Sequence, residues 1–410
     1  MDNLILHNMR LLDCQTGQYI EGAEVLIEGD TIREVSDKPL NTGGSRIDLG
    51  GRTLMPGLID AHVHVVAHTM NLGTLPQFSP FWVSAKASEI MKGMLFRGFT
   101  TVRDAGGADF GLKDAVEQEL MVGPRLFISG KILTPTGGNN DYRPRTISEM
   151  PCACCGGSLT SIGRVVDGEV EVRKAARDEL RRGADQIKCN ASGGVSGPNG
   201  NMDTINFTVD ELRCMVEEAD GWNKYAMAHA YTPRTIRRAV EAGFRSIEHG
   251  NMVDADTAEL MAAQSVFMVP TLSIFHVGSK LFKQLGYGEV NARKLQDVRN
   301  VGLGALKICR EAGVRMGFGT DLLGDLHQYQ SEEFTIRTEV LTPLEVLQSA
   351  TVVNAELLQM KGKLGVIAPD AFADLIVVDG DPLEGLDVLQ EQGRRIPAIM
   401  KGGKFYKNEL

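Results

Sequence analysis

Residues 169–190, Glu-Val-Glu-Val-Arg-Lys-Ala-Ala-Arg-Asp-Glu-Leu-Arg-Arg-Gly-Ala-Asp-Gln-Ile-Lys-Cys-Asn, carry the pattern that decides the fold. Val170, Val172, Ala176 and Leu180 recur at helical spacing among charges, Gly183 suits a left-handed cap, and residues 186–190 read as a strand. The unit then repeats. Thr208-Val209-Asp210-Glu211 fits a capping box before a second helix, and residues 225–230 form the next strand. Thr232-Pro233 places a cap and an N1 proline, Gly243 stops that helix, and Ser246-Ile247-Glu248-His249 is the strand after it. Strands at 266–271 and, after a helix ending near Gly313, at 315–321 continue the cycle. With earlier strands at 58–62, 101–104 and 125–131 the count reaches eight. Alternating units of this size imply right-handed crossovers and a parallel sheet, so the expected class is α/β, a closed (β/α)8 barrel of the TIM type. No GxGxxG or P-loop follows a strand, which disfavours a nucleotide fold.

The two ends of the chain read differently. Short strands at 4–6, 23–28 and 31–35, the last two joined by Glu28-Gly29-Asp30, predict a small antiparallel sheet. The apolar run 373–379 and a hairpin at 398–405 repeat the style. We expect one small β-sandwich built from residues 1–56 and 362–410, around a barrel spanning 57–361.

Composition narrows the function. The 410 residues are 43% hydrophobic and 23% charged, which excludes disorder and fibres. A net charge of −10 argues against nucleic acid, since such binders concentrate Lys and Arg to displace counterions, so a small molecule is the expected partner. No eighteen apolar residues run together, so no membrane helix is expected, and polar residues within the first ten leave no signal-peptide pattern. Seven cysteines, odd in number, are not a secreted disulfide framework and point to a reducing, cytoplasmic setting. Cys152, Cys154 and Cys155 lack a second pair at zinc-finger spacing and read as a surface loop. A closed homo-oligomer is the base-rate expectation.

Polar residues at strand ends carry the chemistry, because barrel strands open at their C-terminal ends into the catalytic mouth. His62 and His64 end the first strand as His-x-His, both on one side by the period of two. Lys188, His229, His249 and Asp321 end four later strands. Unpaired buried charge costs several kcal/mol. A bound metal supplies the missing pairing. Any one of these histidines alone reads as an ordinary core residue; the set of six at strand ends does not.

Leu54-Met55-Pro56-Gly57-Leu58-Ile59-Asp60-Ala61-His62-Val63-His64, Gly319-Thr320-Asp321 and Ala371-Phe372-Ala373-Asp374-Leu375-Ile376-Val377 resemble the entry, closing and return motifs of the amidohydrolase superfamily, over nearly the whole chain. Ile187-Lys188 before an Ala-Ser-Gly-Gly loop, with His229-Ala230-Tyr231, resembles the imidazolonepropionase-related branch that contains prolidases, other metal-dependent dipeptidases and ochratoxin-type amidases. That resemblance implies two Zn²⁺ ions, one held by His62, His64 and Asp321 and the other by His229 and His249, bridged by hydroxide and by Lys188 as a carboxylated lysine. It also implies that Asp321 takes a proton from the shared water and passes it to the leaving amine. The donor set suits zinc. A plain lysine cation would repel two dications, whereas a carbamate offers each an anionic oxygen; a structural salt bridge is the alternative role for Lys188. Cys189 should face the opposite side of its strand.

The expected reaction is hydrolysis of the amide of a dipeptide or N-acyl amino acid, an Xaa-Pro dipeptide first. A cyclic amide or an aromatic N-acyl amino acid is the rival within the class, and a non-catalytic barrel with a structural metal is the rival outside it. Tyr231, two residues beyond His229, points to the same mouth and can bond a substrate oxygen, or simply line a loop. Tyr142 and Arg143, after the third strand, are candidates for a terminal carboxylate, with Arg145 as competitor and solvated surface charge as the alternative. The glycine-rich loop 192–196, with Asn201, is a candidate lid. Asp104 and His276 follow strands two and seven as candidate supporting residues. His7, His68 and His327 carry no assigned role.

Overall fold

The computed structural model describes residues 3–146, 160–195, 197, 201–281 and 289–410. Cys152, Cys154 and Cys155, and Ser196 of the candidate lid, lie outside the described residues.

The predicted repeats form parallel ladders. We number the barrel strands β1 (Leu58–Val63), β2 (Phe99–Asp104), β3 (Arg125–Ile128, resuming at Ile132–Thr134), β4 (Gln186–Asn190), β5 (Tyr225–Ala230), β6 (Ser246–His249) and β7 (Phe267–Val269). Neighbours pair in parallel from β1 to β3 and from β3 to β7. Where β3 breaks, the amide of Asp185 donates to the Ile128 carbonyl at 2.7 Å and carries the sheet onward.

The eighth strand, β8 (residues 315–321), differs from expectation. It closes the ring without a regular ladder on either side. Gly317 donates to Met268 of β7 at 2.8 Å, while Ala61 donates to Phe318, and Asp321 to His62, each at 2.8 Å. Side chains add to this closure: Asn354 Nδ2 donates to the carbonyls of Ile59 on β1 and Phe318 on β8, and Arg337 Nη2 to that of Gly317. Gly319 explains the tight closure, because a Cβ there would stand 2.4 Å from Val269 Cγ1 and 2.8 Å from His62 Cβ.

Helix signals act where the sequence put them. Thr208 and Glu211 form the reciprocal capping box of helix Val209–Asp220, and Pro233 opens helix Pro233–Ala242, which ends at Gly243 with φ +96°. Val172, Leu180, Leu212, Met215 and Ile236 of the helices bury against Ile187, Cys189, Ala228 and Ile247 of the strands. Each large aliphatic side chain so buried contributes about 1.5–3 kcal/mol of transfer free energy. The alternate strand positions, Lys188 and Asn190 among them, turn inward. Cys189 therefore packs on the helix side, as expected.

Both ends of the chain meet in one six-stranded sheet. Thr53–Pro56 pairs antiparallel with Leu375–Val378, which continues into the hairpin Ala398–Lys401 and Lys404–Asn408. A four-stranded sheet from residues 4–48 faces it, with Leu6, Val25 and Ile27 packed against Leu54, Leu375 and Met400. Because Thr53–Pro56 runs straight into β1, this sandwich anchors the strand that carries His62. Among the described residues no helix is long and apolar enough to cross a membrane, and Cys14, Cys189, Cys214 and Cys309 are buried and free.

Candidate active site

Closure of β8 on β1 brings the two ends of the barrel to one point. Oδ1 of Asp321 lies 3.4 Å from Nε2 of His62 and 3.3 Å from Nε2 of His64. One donor atom from each of the three residues falls within 4.8 Å of the others, a spacing that can hold a metal ion. Lys188, His229 and His249 line the same cavity. The His249 ring centroid is 5.1 Å from that of His62 and 4.5 Å from that of His229. All six predicted strand-end residues thus converge.

Each imidazole is held by one nitrogen, which leaves the other for a ligand. Nδ1 of His64 donates to the Gly106 carbonyl at 2.8 Å, and Nδ1 of His249 meets Thr271 Oγ1 at 2.8 Å. His229 is held from the other side, Nε2 to the Gly193 carbonyl at 3.1 Å, so its Nδ1 is the available atom. For His62 the partner is a carboxylate, Glu248 Oε2, at 2.7 Å from Nδ1. Glu248 in turn meets Arg103 Nη2 at 2.8 Å. The sequence reading missed both residues; the available signal was a charge inside an otherwise apolar strand, in Ser246-Ile247-Glu248-His249 and Thr101-Val102-Arg103-Asp104.

Burial sets the electrostatics. Lys188 is 2% exposed, and loss of hydration holds its ammonium at about 8, against the opposing pull of Glu248 and Asp321. Among the described residues no hydrogen bond or ion pair engages its Nζ, so a structural salt bridge is not formed there. Burial, then the Lys188 charge, holds His229 at about 3, and burial with His229 drives His249 well below its ordinary value. Neutral imidazole is the form that ligates metal. Burial opposes ionisation of Asp321, but the neighbouring His62 and His64 outweigh it and hold the carboxyl far below the usual range. Asp321 (φ +55°), His249 (φ +74°) and Thr271 (φ +46°) are non-glycine residues with left-handed backbones, conformations that cluster at functional sites.

The substrate candidates divide. Tyr231 enters the cavity wall, stacked on His249 at 5.0 Å and 13° and edge-on to His229. Tyr142 and Arg143 are not brought into that wall. Arg143 forms a two-pronged pair with Asp141, Nε–Oδ1 and Nη2–Oδ2 both at 2.7 Å, and Tyr142 packs beside Gly73. Arg145 is exposed. Asn139 and Asn190, not singled out from sequence, line the cavity with Oδ1 atoms that have no hydrogen-bond partner among the described residues. Asp104 serves structure: it accepts from the amides of Val65, Gly106 and Ala108 and so fixes the loops after β1 and β2. His276 is not part of the wall, though its neighbour Phe275 is. Gly193 of the glycine-rich loop orients His229, and Val195 lines the cavity.

Known proteins resemble this chain in sequence and fold. The amidohydrolase family profile matches residues 53–405. Ochratoxinase from Aspergillus niger is 30% identical over 417 aligned residues, which cover 93% of this chain and 84% of that protein. Among solved structures, an amidohydrolase superposes with a TM-score of 0.97 at 48% identity, covering 100% of both chains. A prolidase complexed with N-methylphosphonate-L-proline superposes with a TM-score of 0.96 at 46% identity, covering 99% of this chain and 100% of that one. The β-sandwich and parallel barrel, the convergence of side chains that could hold a metal ion and these matches together place the chain in the amidohydrolase family, as a hydrolase acting on C–N bonds.

Proposed function

We propose that the protein is a binuclear zinc amidohydrolase that cleaves the peptide bond of a dipeptide or N-acyl amino acid, with Xaa-Pro dipeptides as the leading substrates. The convergence of His62, His64 and Asp321 with Lys188, His229 and His249 on one cavity carries this reading. The donor set fits two ions: imidazole nitrogens and a carboxylate oxygen suit zinc, and each imidazole keeps a nitrogen for it. His62, His64 and Asp321 would hold one ion, His229 and His249 the other. Lys188, desolvated and with no hydrogen-bond partner among the described residues, is suited to carboxylation, and its carbamate would serve both. Metal bound there supplies Lewis acidity toward the scissile carbonyl and the attacking water.

Asp321 would take the proton that the water gives up as its oxygen adds to the carbonyl carbon. It then returns that proton to the amine nitrogen as the C–N bond breaks. Tyr231, held against His249, donates its hydroxyl to a carbonyl or carboxylate oxygen of the substrate. The prolidase complexed with a proline phosphonate, 46% identical to this chain, supports a prolyl leaving group. The Aspergillus niger ochratoxinase supports the second reading, an aromatic N-acyl amino acid.

A library of Xaa-Pro dipeptides, other dipeptides and N-acyl amino acids, assayed with zinc-loaded protein, tests the assignment. Preferential hydrolysis of Xaa-Pro substrates is the expected result. Turnover confined to aromatic N-acyl amino acids would favour the second reading, and no turnover of any member would overturn both.

A further inference from the structure

Directly behind the histidine cluster lies a pair of opposite charges that the proposed chemistry leaves unused. Glu248 and Arg103 are each 0% exposed, with Nη2 of Arg103 at 2.8 Å from Oε1 of Glu248. Removing two charges from water costs several kcal/mol per ion, and a buried pair is often no more stabilising than apolar residues of the same volume. Stability alone does not account for the pair. Its contacts do. Oε2 of Glu248 meets Nδ1 of His62 at 2.7 Å. Nε of Arg103 donates to the carbonyl of Ala61, the residue before His62, at 2.6 Å. Ser246 Oγ donates to Oε1 of Glu248 at 2.7 Å. One partner therefore grips the ring of His62, and the other grips its backbone.

The four imidazoles are not braced alike. His64 and His229 bond to backbone carbonyls, and His249 meets a threonine hydroxyl. Among the described residues, His62 alone of the four has a carboxylate behind it. A carboxylate is the stronger acceptor, fixes the proton on Nδ1, and raises the basicity of the ligating Nε2. We propose that Glu248 and Arg103 are positioning residues that set the tautomer and donor strength of His62, and so make the metal position formed by His62, His64 and Asp321 the tighter of the two. This rests on the two-metal reading of the site.

Zinc titration of the metal-free protein against a chromophoric chelator tests the proposal, paired with ¹⁵N-histidine NMR of the same metal-free samples. Wild type should bind two equivalents of distinct affinity, with His62 protonated at Nδ1. Glu248→Gln keeps the shape and removes the charge; the tighter equivalent should weaken about 10–100-fold while the other is unmoved. Should that variant fail to fold, Glu248→Gln combined with Arg103→Met removes the stranded cation and carries the same expectation. Glu333→Gln is the control, since Glu333 and Arg337 form another fully buried pair at 2.8 Å that touches no metal-ligating histidine. It should lower stability without changing zinc affinity. The proposal is overturned if folded Glu248 variants keep both wild-type affinities, if both equivalents weaken equally, if Glu333→Gln gives the same loss, or if His62 in wild type carries its proton on Nε2. Wild type binding fewer than two equivalents would instead contradict the two-metal reading itself.

Discussion

Asp321 at the end of β8 holds Oδ1 3.4 Å from Nε2 of His62 at the end of β1, so the first and last strands of the barrel meet at the centre of the site. The contact depends on backbone closure just beneath it, where the Asp321 amide donates to the His62 carbonyl at 2.8 Å. Asp60 ties the same two strands, accepting from the Thr320 hydroxyl at 2.7 Å. Barrel closure and the site therefore share the same strand junction.

Asp321→Asn should abolish turnover while leaving zinc content largely intact. The amide can still ligate through oxygen but cannot take a proton, and loss of a general base costs about 10²–10⁴ in kcat. Steady-state kinetics with metal analysis on one preparation checks this; full activity would refute the role.

Gly319→Ala should damage both stability and metal binding. The added Cβ would press on Val269 Cγ1 at 2.4 Å and on His62 Cβ at 2.8 Å, with the His62 amide nitrogen at 3.2 Å. Overpacking of this kind costs about 1–3 kcal/mol. A lowered denaturation midpoint together with weaker zinc binding is expected.

Tyr231→Phe retains the ring that stacks on His249 and removes the hydroxyl. Loss of one hydrogen bond to a charged or developing anionic oxygen, worth about 1.5–3 kcal/mol, should lower kcat/KM roughly 10–100-fold. Unchanged kinetics would place the tyrosine in the wall without a role in binding.

Much of the site was legible because strand alternation and strand-end position are local properties. Period two alone separates Lys188, in the cavity, from Cys189, among the helices. What sequence spacing could not give is pairing across the barrel. Glu248 and His62 meet only once β6 and β1 are closed into a ring, and Arg143 is claimed by Asp141, whose side chain could equally have faced solvent. The irregularity of β8 was hidden for the same reason. Its carbonyls are satisfied by Asn354 and Arg337, which lie beyond it in the chain.

The metal-free protein should lose stability as pH falls below about 6.5, the ordinary histidine value. Burial holds His229 at about 3 and His327 at about 4, and drives His249 far down. Unfolded histidines take up protons that these folded ones refuse. Their contribution is therefore present above the unfolded value and lost as pH falls toward the folded ones, at up to about 1.4 kcal/mol per pH unit each. Asp60, raised by burial to about 6 from 3.8, acts in the opposite sense, since the folded chain holds its extra proton between those values. Asp104 and Glu179, which burial also raises, act with Asp60, while His68 and His276, which burial lowers, join the other three histidines, so five lowered histidines oppose three raised carboxyls. Denaturation midpoints of chelator-treated protein across this range check the sign, and a midpoint that rises on acidification would contradict it.

The most direct measurement is Xaa-Pro hydrolysis followed while metal-free protein is titrated with zinc. Activity should be absent at the start, reach its maximum at two equivalents per chain, and be lost again when chelator removes the metal. Full activity in the metal-free protein, or a maximum at one equivalent with nothing gained from the second, would contradict a binuclear zinc hydrolase.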